Sequence, residues 1–488
     1  MLAPARGRAS RWLAFAALSG AIGCAGAGLG GTTRDLALPA IPASASPERL
    51  VVISVHGLAP EQYLPVEGPP RMPILAALGA AGVAAESLEP VFPSAMYPAH
   101  ATLVTGLPPA RHGVAADRRL GDRGVEPQRP DQASQIAGAT LWKAVTEAGG
   151  SVASLDWPAT GGAAISDLLP DLDAARSGAS WPALMAKGTA PRVAELARRA
   201  GADQPASWLP GPARDAVLAR VACDLLSADP PPRLLLLRFS ETEAALDAAP
   251  PGSEAARAAF ASVDAGVGRL VDCLRVKNRL ATTAIAVVGD HGTLPVHTAI
   301  RANRVLADVG LVILDRAGGV VRWDALARSN GGSAFVYARD ADLAVLARRA
   351  LEEAAQKTAT FRVISAEEML QRGADPEAWF GLEASPGYVF ADDLADEVLG
   401  PATLAAAGGY ASEQPRMATG FVAWGPGIRG PLRVPRMREI DVGPTLARLL
   451  GVELAGAEGE AMVGLLRKAP APPVVAPVDA GKRRPRGS

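Results

Sequence analysis

Aromatic residues make up only 5% of the 488-residue chain, and no charge of either sign dominates it. The scarcity of aromatics beside abundant Ala, Gly and Pro speaks of composition more than of function. Lys and Arg number 49 against 50 Asp and Glu, a formal net charge of -1 that gives no reason to expect a nucleic acid as partner. Cysteine is scarce too, at three residues. Cys223 and Cys273 each lie in an apolar helical pattern and read as buried free thiols, although in an oxidising compartment they could pair. The leading apolar stretch, Trp12 to Cys24, is too short to span a bilayer comfortably. With hydrophobic residues at 49% and charged residues at 20%, what remains is an ordinary globular chain, long enough for one large α/β core with a small insert.

That leading stretch carries an address instead. Arg6, Arg8 and Arg11 precede it and small residues follow, as in a secretory signal. Ala21, Ile22, Gly23 and Cys24 resemble a bacterial lipobox, in which Cys24 is lipidated and becomes the mature N-terminus; the alternative is an ordinary cleavage among residues 25 to 27. The expectation is an exported protein of the cell envelope, lipid-anchored or periplasmic, whose membrane partner is reached through Cys24. Residues 25–47 read as a Gly, Ala, Ser and Pro linker, 48–465 as the folded domain, and 466–488 as a disordered Pro-rich tail with a basic end.

Within the domain, Leu50 to Gly57, Ser151 to Trp157, Arg233 to Phe239, Ala284 to Val288 and Gly420 to Trp424 read as buried strands. Helical patterns alternate with them at Met72 to Gly82, Thr140 to Gly149, Arg214 to Ser227, Ser253 to Val276 and Asp441 to Leu450. This rhythm predicts an α/β fold, a mostly parallel sheet with helices on both faces. Pro158 to Pro212 reads as a surface excursion. Residues 300–400 break the rhythm, with short strands at Ser333 to Tyr337 and Phe361 to Ile364 around a helix from Ala341 to Gln356, which predicts a small α+β insert.

Two stretches carry the chemistry. The first strand runs into His56-Gly57, and forty residues later VFPSAMYPAHATLVTGLPPARHG opens a helix near Pro98 that Gly106 ends. Together with SETEAALDAAP, VVGDHGTLPVH and AAAGGYASEQPRMATGFVAWGPGI, they resemble the type I phosphodiesterase/nucleotide pyrophosphatase family of the alkaline phosphatase superfamily over about residues 50 to 455. The resemblance implies that superfamily's fold and a two-zinc hydrolase whose nucleophile is a threonine. Position by position, the family's first aspartate falls on His56, its threonine on Met96, its Asp-x-x-x-His pair on Glu243 and Asp247, its Asp-His pair on Asp290 and His291, and its last histidine on Gly408. Only Asp290 and His291 keep the family's residue types.

The chemistry of the substitutes decides what the resemblance implies. A thioether has no proton to lose, so Met96 is not competent as a nucleophile, and Ser94 is a displaced substitute only if it points into the same space. Two zinc ions about 3.5–4 Å apart would each need several ligands. Gly408 offers no side chain, and Glu243 with Asp247 is a poor zinc selector. Ser240 to Glu243 also spells a capping box, which makes a solvated helix start the plainer reading of Glu243; Asp247, four residues on, shares its face. His56, Asp290 and His291 could still hold one zinc ion, although Asp-His-Gly after a buried strand can also be no more than a strand-end turn. His100 and His112 match non-ligand positions, and His297 reads as a surface residue. The expected protein keeps the hydrolase fold and serves as a binding or scaffolding pseudoenzyme, with a small anion or phosphoester received at the helix N-terminus near Pro98. The alternative is a phosphoester or phosphodiester hydrolase working with a single displaced metal and direct attack by water.

Overall fold

The computed structural model describes residues 36–65, 67–171, 188–203 and 210–467. Cys24, the apolar run before it and the basic tail from residue 468 lie outside the described residues. The chain divides into two units, Met1–Ala37 and Leu38–Ser488, and the helices and strands of the described residues belong to the second.

The central strand is Arg49–Val55, RLVVISV, and every residue of it is buried. Its apolar run shows no alternation because both of its faces are covered. Leu234–Phe239 and Thr283–Gly289 flank it, both parallel, with Val55 level with Phe239 on one side and Gly289 on the other. Val152–Leu155 and then Asp167–Leu169 continue the sheet in parallel beyond Leu234–Phe239. On the opposite side Phe421–Trp424 runs antiparallel to both Thr283–Gly289 and Val83–Ala85, and Leu432–Val434 closes that edge in parallel.

Helices cover both faces. Leu50, Val52, Leu234, Leu236 and Ala286 share one apolar cluster with Tyr97, Ala101, Leu141, Val145 and Leu446, from helices Met96–Thr105, Leu141–Glu147 and Val442–Leu450. A second set of helices, Pro73–Ala81, Pro212–Ser227, Glu241–Ala248 and Glu254–Val276, packs together elsewhere on the sheet. Asp264, buried within the longest of these, accepts the N–H groups of Ile74 and Leu75 at 2.9 Å each and so caps the neighbouring helix from a distance. The predicted insert is a four-stranded antiparallel sheet, Ala325–Ser329, Ser333–Ala338, Phe380–Ala384 and Phe361–Ile364, backed by helix Ala341–Thr358 over its own core of Leu326, Val336, Leu351 and Leu382.

Three expectations need correction. Pro158 to Pro212 is not simply a surface excursion, because Asp167–Leu169 is a fully buried strand of the main sheet; at three residues it is too short to show a period. Leu466 and Arg467 belong to the fold rather than to the tail, since Leu466 bridges Ile428 and the Arg467 N–H donates to the Gly427 carbonyl. Cys223 and Cys273 are not buried free thiols. They are half-buried and joined in a disulfide, their Cα atoms 5.7 Å apart, because helices Pro212–Ser227 and Glu254–Val276 lie side by side and bring the two positions level. A crosslink across a 50-residue separation restricts the unfolded chain. Replacing both cysteines by serine should cost roughly 2–4 kcal/mol in urea unfolding; a midpoint that neither the replacement nor a reductant moves would show that the bridge does not form.

Candidate functional site

The carboxyl ends of the three central parallel strands deliver the site, the usual place for a ligand in an open α/β sheet. His56 follows Arg49–Val55, the turn from Ser240 to Glu243 follows Leu234–Phe239, and Asp290 follows Thr283–Gly289.

Asp290 is fully buried and fully engaged. Its Oδ1 accepts the N–H groups of Gly57 at 3.0 Å and His291 at 2.8 Å, while Oδ2 lies 3.0 Å from His56 Nδ1. Gly57 can make this approach because its φ of +65° suits glycine, and an added Cβ would lie 2.6 Å from Leu246. His291 Nδ1 bonds the Gly292 carbonyl at 2.8 Å, which leaves Nε2 facing Asp290 Oδ2 at 3.8 Å. The His56 and His291 rings meet edge to face at 4.7 Å. Burial alone would lower the His56 pKa, but Asp290, helped by Glu243 and Asp247, outweighs it and raises the pKa to about 9. Burial likewise opposes the Asp290 charge, and His291 and His56 overcome it, holding that carboxyl well below its ordinary range. At neutral pH the pair is an imidazolium against a carboxylate.

A second cation lies beside Glu243. Arg238, buried in the strand Leu234–Phe239, directs Nη1 to Glu243 Oε2 at 2.8 Å and to the Met96 sulfur at 3.3 Å. Its Nη2 reaches Asp156 Oδ2 at 3.0 Å and Asp171 Oδ1 at 3.1 Å, and Nε donates to the Asp156 carbonyl at 3.1 Å. Arg214 pairs with Asp156 and Asp171, Arg129 stands 3.9 Å from Glu243, and the Tyr97 hydroxyl donates to Asp171. Burial would raise the Glu243 pKa; Arg238, His56 and Arg129 instead bring it down to about 2, and Asp171 is held at about 2 by Arg238, Arg214 and Arg129 against the same penalty.

The expected capping box is therefore absent. Ser240 gives its N–H and its hydroxyl to Asp215 rather than capping the helix, and Glu243 turns to Arg238 with a side chain only 15% exposed, so it is not a solvated helix start. A local motif lost to buried charges that pay more. Asp247 is exposed one turn on.

The helix expected near Pro98 starts at Met96 and runs to Thr105, with Pro98 in its first turn. Asp117 accepts the Tyr97 N–H at 2.8 Å, so a carboxylate of the chain already uses a donor that the sequence offered to an incoming anion. Met96 is 3% exposed. Ser94 sits in the loop before the helix, buried, its hydroxyl given to the Tyr410 carbonyl at 2.8 Å, so it does not take up a nucleophile's role beside Met96. Gly408 lies against His291: a Cβ there would be 2.5 Å from His291 Nδ1 and 2.7 Å from the Ser94 carbonyl. His100 bridges Ser54 and the Met96 carbonyl, and His112 bonds Thr102 and the Val114 N–H; burial lowers their pKa values to about 4 and about 3, so both are neutral. His297 is exposed against Tyr388.

Two sets of donors stand where the resemblance puts zinc. Glu243, Asp247 and Gly408 do not fit an ion, because Glu243 is spent on Arg238 and the space beside Gly408 is filled by His291. His56, Asp290 and His291 do converge, offering one donor atom each within 4.8 Å of one another. They fit a single ion once the proton shared by His56 and Asp290 is displaced, as deprotonation is part of any metal binding.

The model of the type I phosphodiesterase/nucleotide pyrophosphatase family matches residues 50–408. The chain belongs to that family. Its fold is similar to human ectonucleotide pyrophosphatase/phosphodiesterase 5, at 17% identity and a TM-score of 0.62, over 86% of this chain and 100% of the human one. It is also similar to the murine protein of that name, at 20% identity and a TM-score of 0.60, over 86% and 100%, and to an inactive murine variant in complex with AMP, at 19% and 0.60, over 86% and 99%. No curated protein matches the sequence. The family is typically zinc-dependent, and among the described residues His56, Asp290 and His291 are the one group placed to hold a metal.

Sequence reasoning on this family member missed Arg238, Arg214, Arg129, Asp156 and Asp171. A signal was there for two of them: Arg238 and Asp156 are charged residues inside runs, LLLLRF and SVASLDW, that otherwise read as buried strands. A charge in such a run demands a partner. Removing this guanidinium takes from Asp156, Asp171 and Glu243 the one cation they share, leaving Arg214 and Arg129 to offset three buried carboxylates, so Arg238→Ala should lose about 3–5 kcal/mol in denaturant unfolding, with Arg238→Lys between it and wild type. A loss under about 1 kcal/mol would mean that the cluster behaves like a solvated surface pair.

Proposed function

We propose that the protein is a non-catalytic member of its family, a binding or scaffolding protein of the cell envelope. The observation that carries this reading is Arg238 against Glu243 and the Met96 sulfur, a guanidinium standing where the resemblance puts the first metal and the nucleophile. Phosphoryl transfer needs a nucleophile with a proton to lose and a cation already aimed at the developing charge with donors left for it. Met96 lacks the first, and the guanidinium of Arg238 is held on every side by the chain's own groups. Access is restricted as well, since Met96, Asp290 and His291 are all at most 4% exposed.

Export with a lipid anchor on Cys24 is part of the proposal, supported by the Arg-flanked apolar run and by the Cys223–Cys273 disulfide, a bond of oxidising compartments. No helix of the described residues is long and apolar enough to cross a membrane.

A one-metal hydrolase is the second reading, favoured by the convergence of His56, Asp290 and His291. A zinc ion held there would supply Lewis acidity and a more acidic bound water. Gly408→Ala already brings a side chain into the His291 ring, and histidine there would displace it, so rebuilding the family's ligands at Gly408 is not a route to activity. The test is turnover of a chromogenic phosphodiester by wild type and by Met96→Thr, with zinc and with chelator. Neither should exceed the buffer blank. Turnover by wild type that vanishes on chelation would replace the first reading with the second.

A further inference from the structure

Next to the central site, reaching it at Gly57 and Thr293 but lined by none of Met96, His56, Asp290 and His291, an open cavity of about 800 Å³ indents the surface. Four arginines from four separate elements converge on it. Arg71 lies just ahead of helix Pro73–Ala81, Arg257 in the first turn of Glu254–Val276, Arg416 in the turn Pro415–Met417, and Arg433 in the edge strand Leu432–Val434. Among the described residues Arg71, Arg416 and Arg433 make no ion pair, and the Arg257 guanidinium donates only to the Gly252 carbonyl. Glu61 and Glu86 also line the space, yet neither comes within ion-pair distance of these arginines, so the wall carries four positive charges against two negative ones. Apolar groups also line it: Leu64, Pro65 and Pro251 are half-buried and Pro415 is exposed.

We propose that this cavity binds a phosphate ester that carries an apolar group. Unpaired like charges around one space repel one another, and a dianionic group set among them relieves that repulsion. Guanidinium forks match phosphate oxygens two at a time, which separates this site from a general attraction for anions. Leu64, Pro65, Pro251 and Pro415 give the ester's organic part a surface to cover, as in ligand sites where a few polar groups orient an apolar contact. The site is independent of whether the central cleft is catalytic. A soluble aryl phosphate and the headgroup of an anionic phospholipid share this chemistry.

The experiment uses the folded chain lacking residues 1–24 so that no lipid anchor contributes. 1-Naphthyl phosphate is titrated by fluorescence with 1-naphthol as control, and flotation is measured with phosphatidylcholine vesicles with and without phosphatidylglycerol. The arginines are exposed, so Arg416→Gln/Arg433→Gln and Arg71→Gln/Arg257→Gln should fold as wild type does. The expected result is binding of the phosphate and not of the naphthol, weakened tenfold or more by either double substitution, as losing charged hydrogen bonds of roughly 1.5–3 kcal/mol requires. Binding to phosphatidylglycerol vesicles lost in the same variants would identify the lipid headgroup as the source; binding to naphthyl phosphate alone would identify a soluble ester. No binding of either probe up to millimolar concentration, or binding that both double variants keep, would overturn the proposal.

Discussion

All five N–H donors of the Arg238 guanidinium are taken, by the Asp156 carbonyl and carboxyl, Asp171, Glu243 and the Met96 sulfur. One planar group thereby ties together the end of the strand Leu234–Phe239, the turn after Val152–Leu155, the segment after Asp167–Leu169, helix Glu241–Ala248 and the start of helix Met96–Thr105. Such a network is weak evidence of net stability, because each buried ion has given up its water. Breaking it is costly all the same, because the partners left behind cannot regain that water. Specificity of arrangement is what it supplies here: Glu243 cannot cap its own helix, Asp156 is held with φ at +60°, and Tyr97 must face Asp171.

The same logic recurs a few residues away. Asp290 is satisfied by two backbone N–H groups and by His56, whose raised pKa makes it a fixed cation at neutral pH. On the proposed reading, each carboxylate that a zinc ion would neutralise in the family's chemistry has a side-chain cation as its neighbour instead. Gly408 completes the arrangement from the other side, since only the absence of a Cβ lets the His291 ring lie where it does.

The frame was legible in the sequence because long apolar strands and amphipathic helices announce themselves. Arg49–Val55, Thr283–Gly289 and Glu254–Val276 lie within a residue or two of where their patterns placed them, and the ordered motifs pointed to the family that the comparison confirms. His56, Asp290 and His291 were singled out together, and they do meet. What escaped has a common physical cause: long-range pairing leaves no local trace. The Ser240–Glu243 capping box was right as a local pattern and lost to Asp215 and Arg238, and Asp167–Leu169 was too short to show a period. The Cys223–Cys273 bond depended on how two helices 50 residues apart in sequence pack.

The claim that side-chain cations occupy the places of metal ions is tested most directly by metal content. Protein purified in the presence of zinc, dialysed against metal-free buffer and measured by mass spectrometry of its elements should retain no stoichiometric metal. One zinc per chain, lost on His291→Ala, would show that His56 yields its place beside Asp290 to an ion, and two per chain would contradict the account entirely.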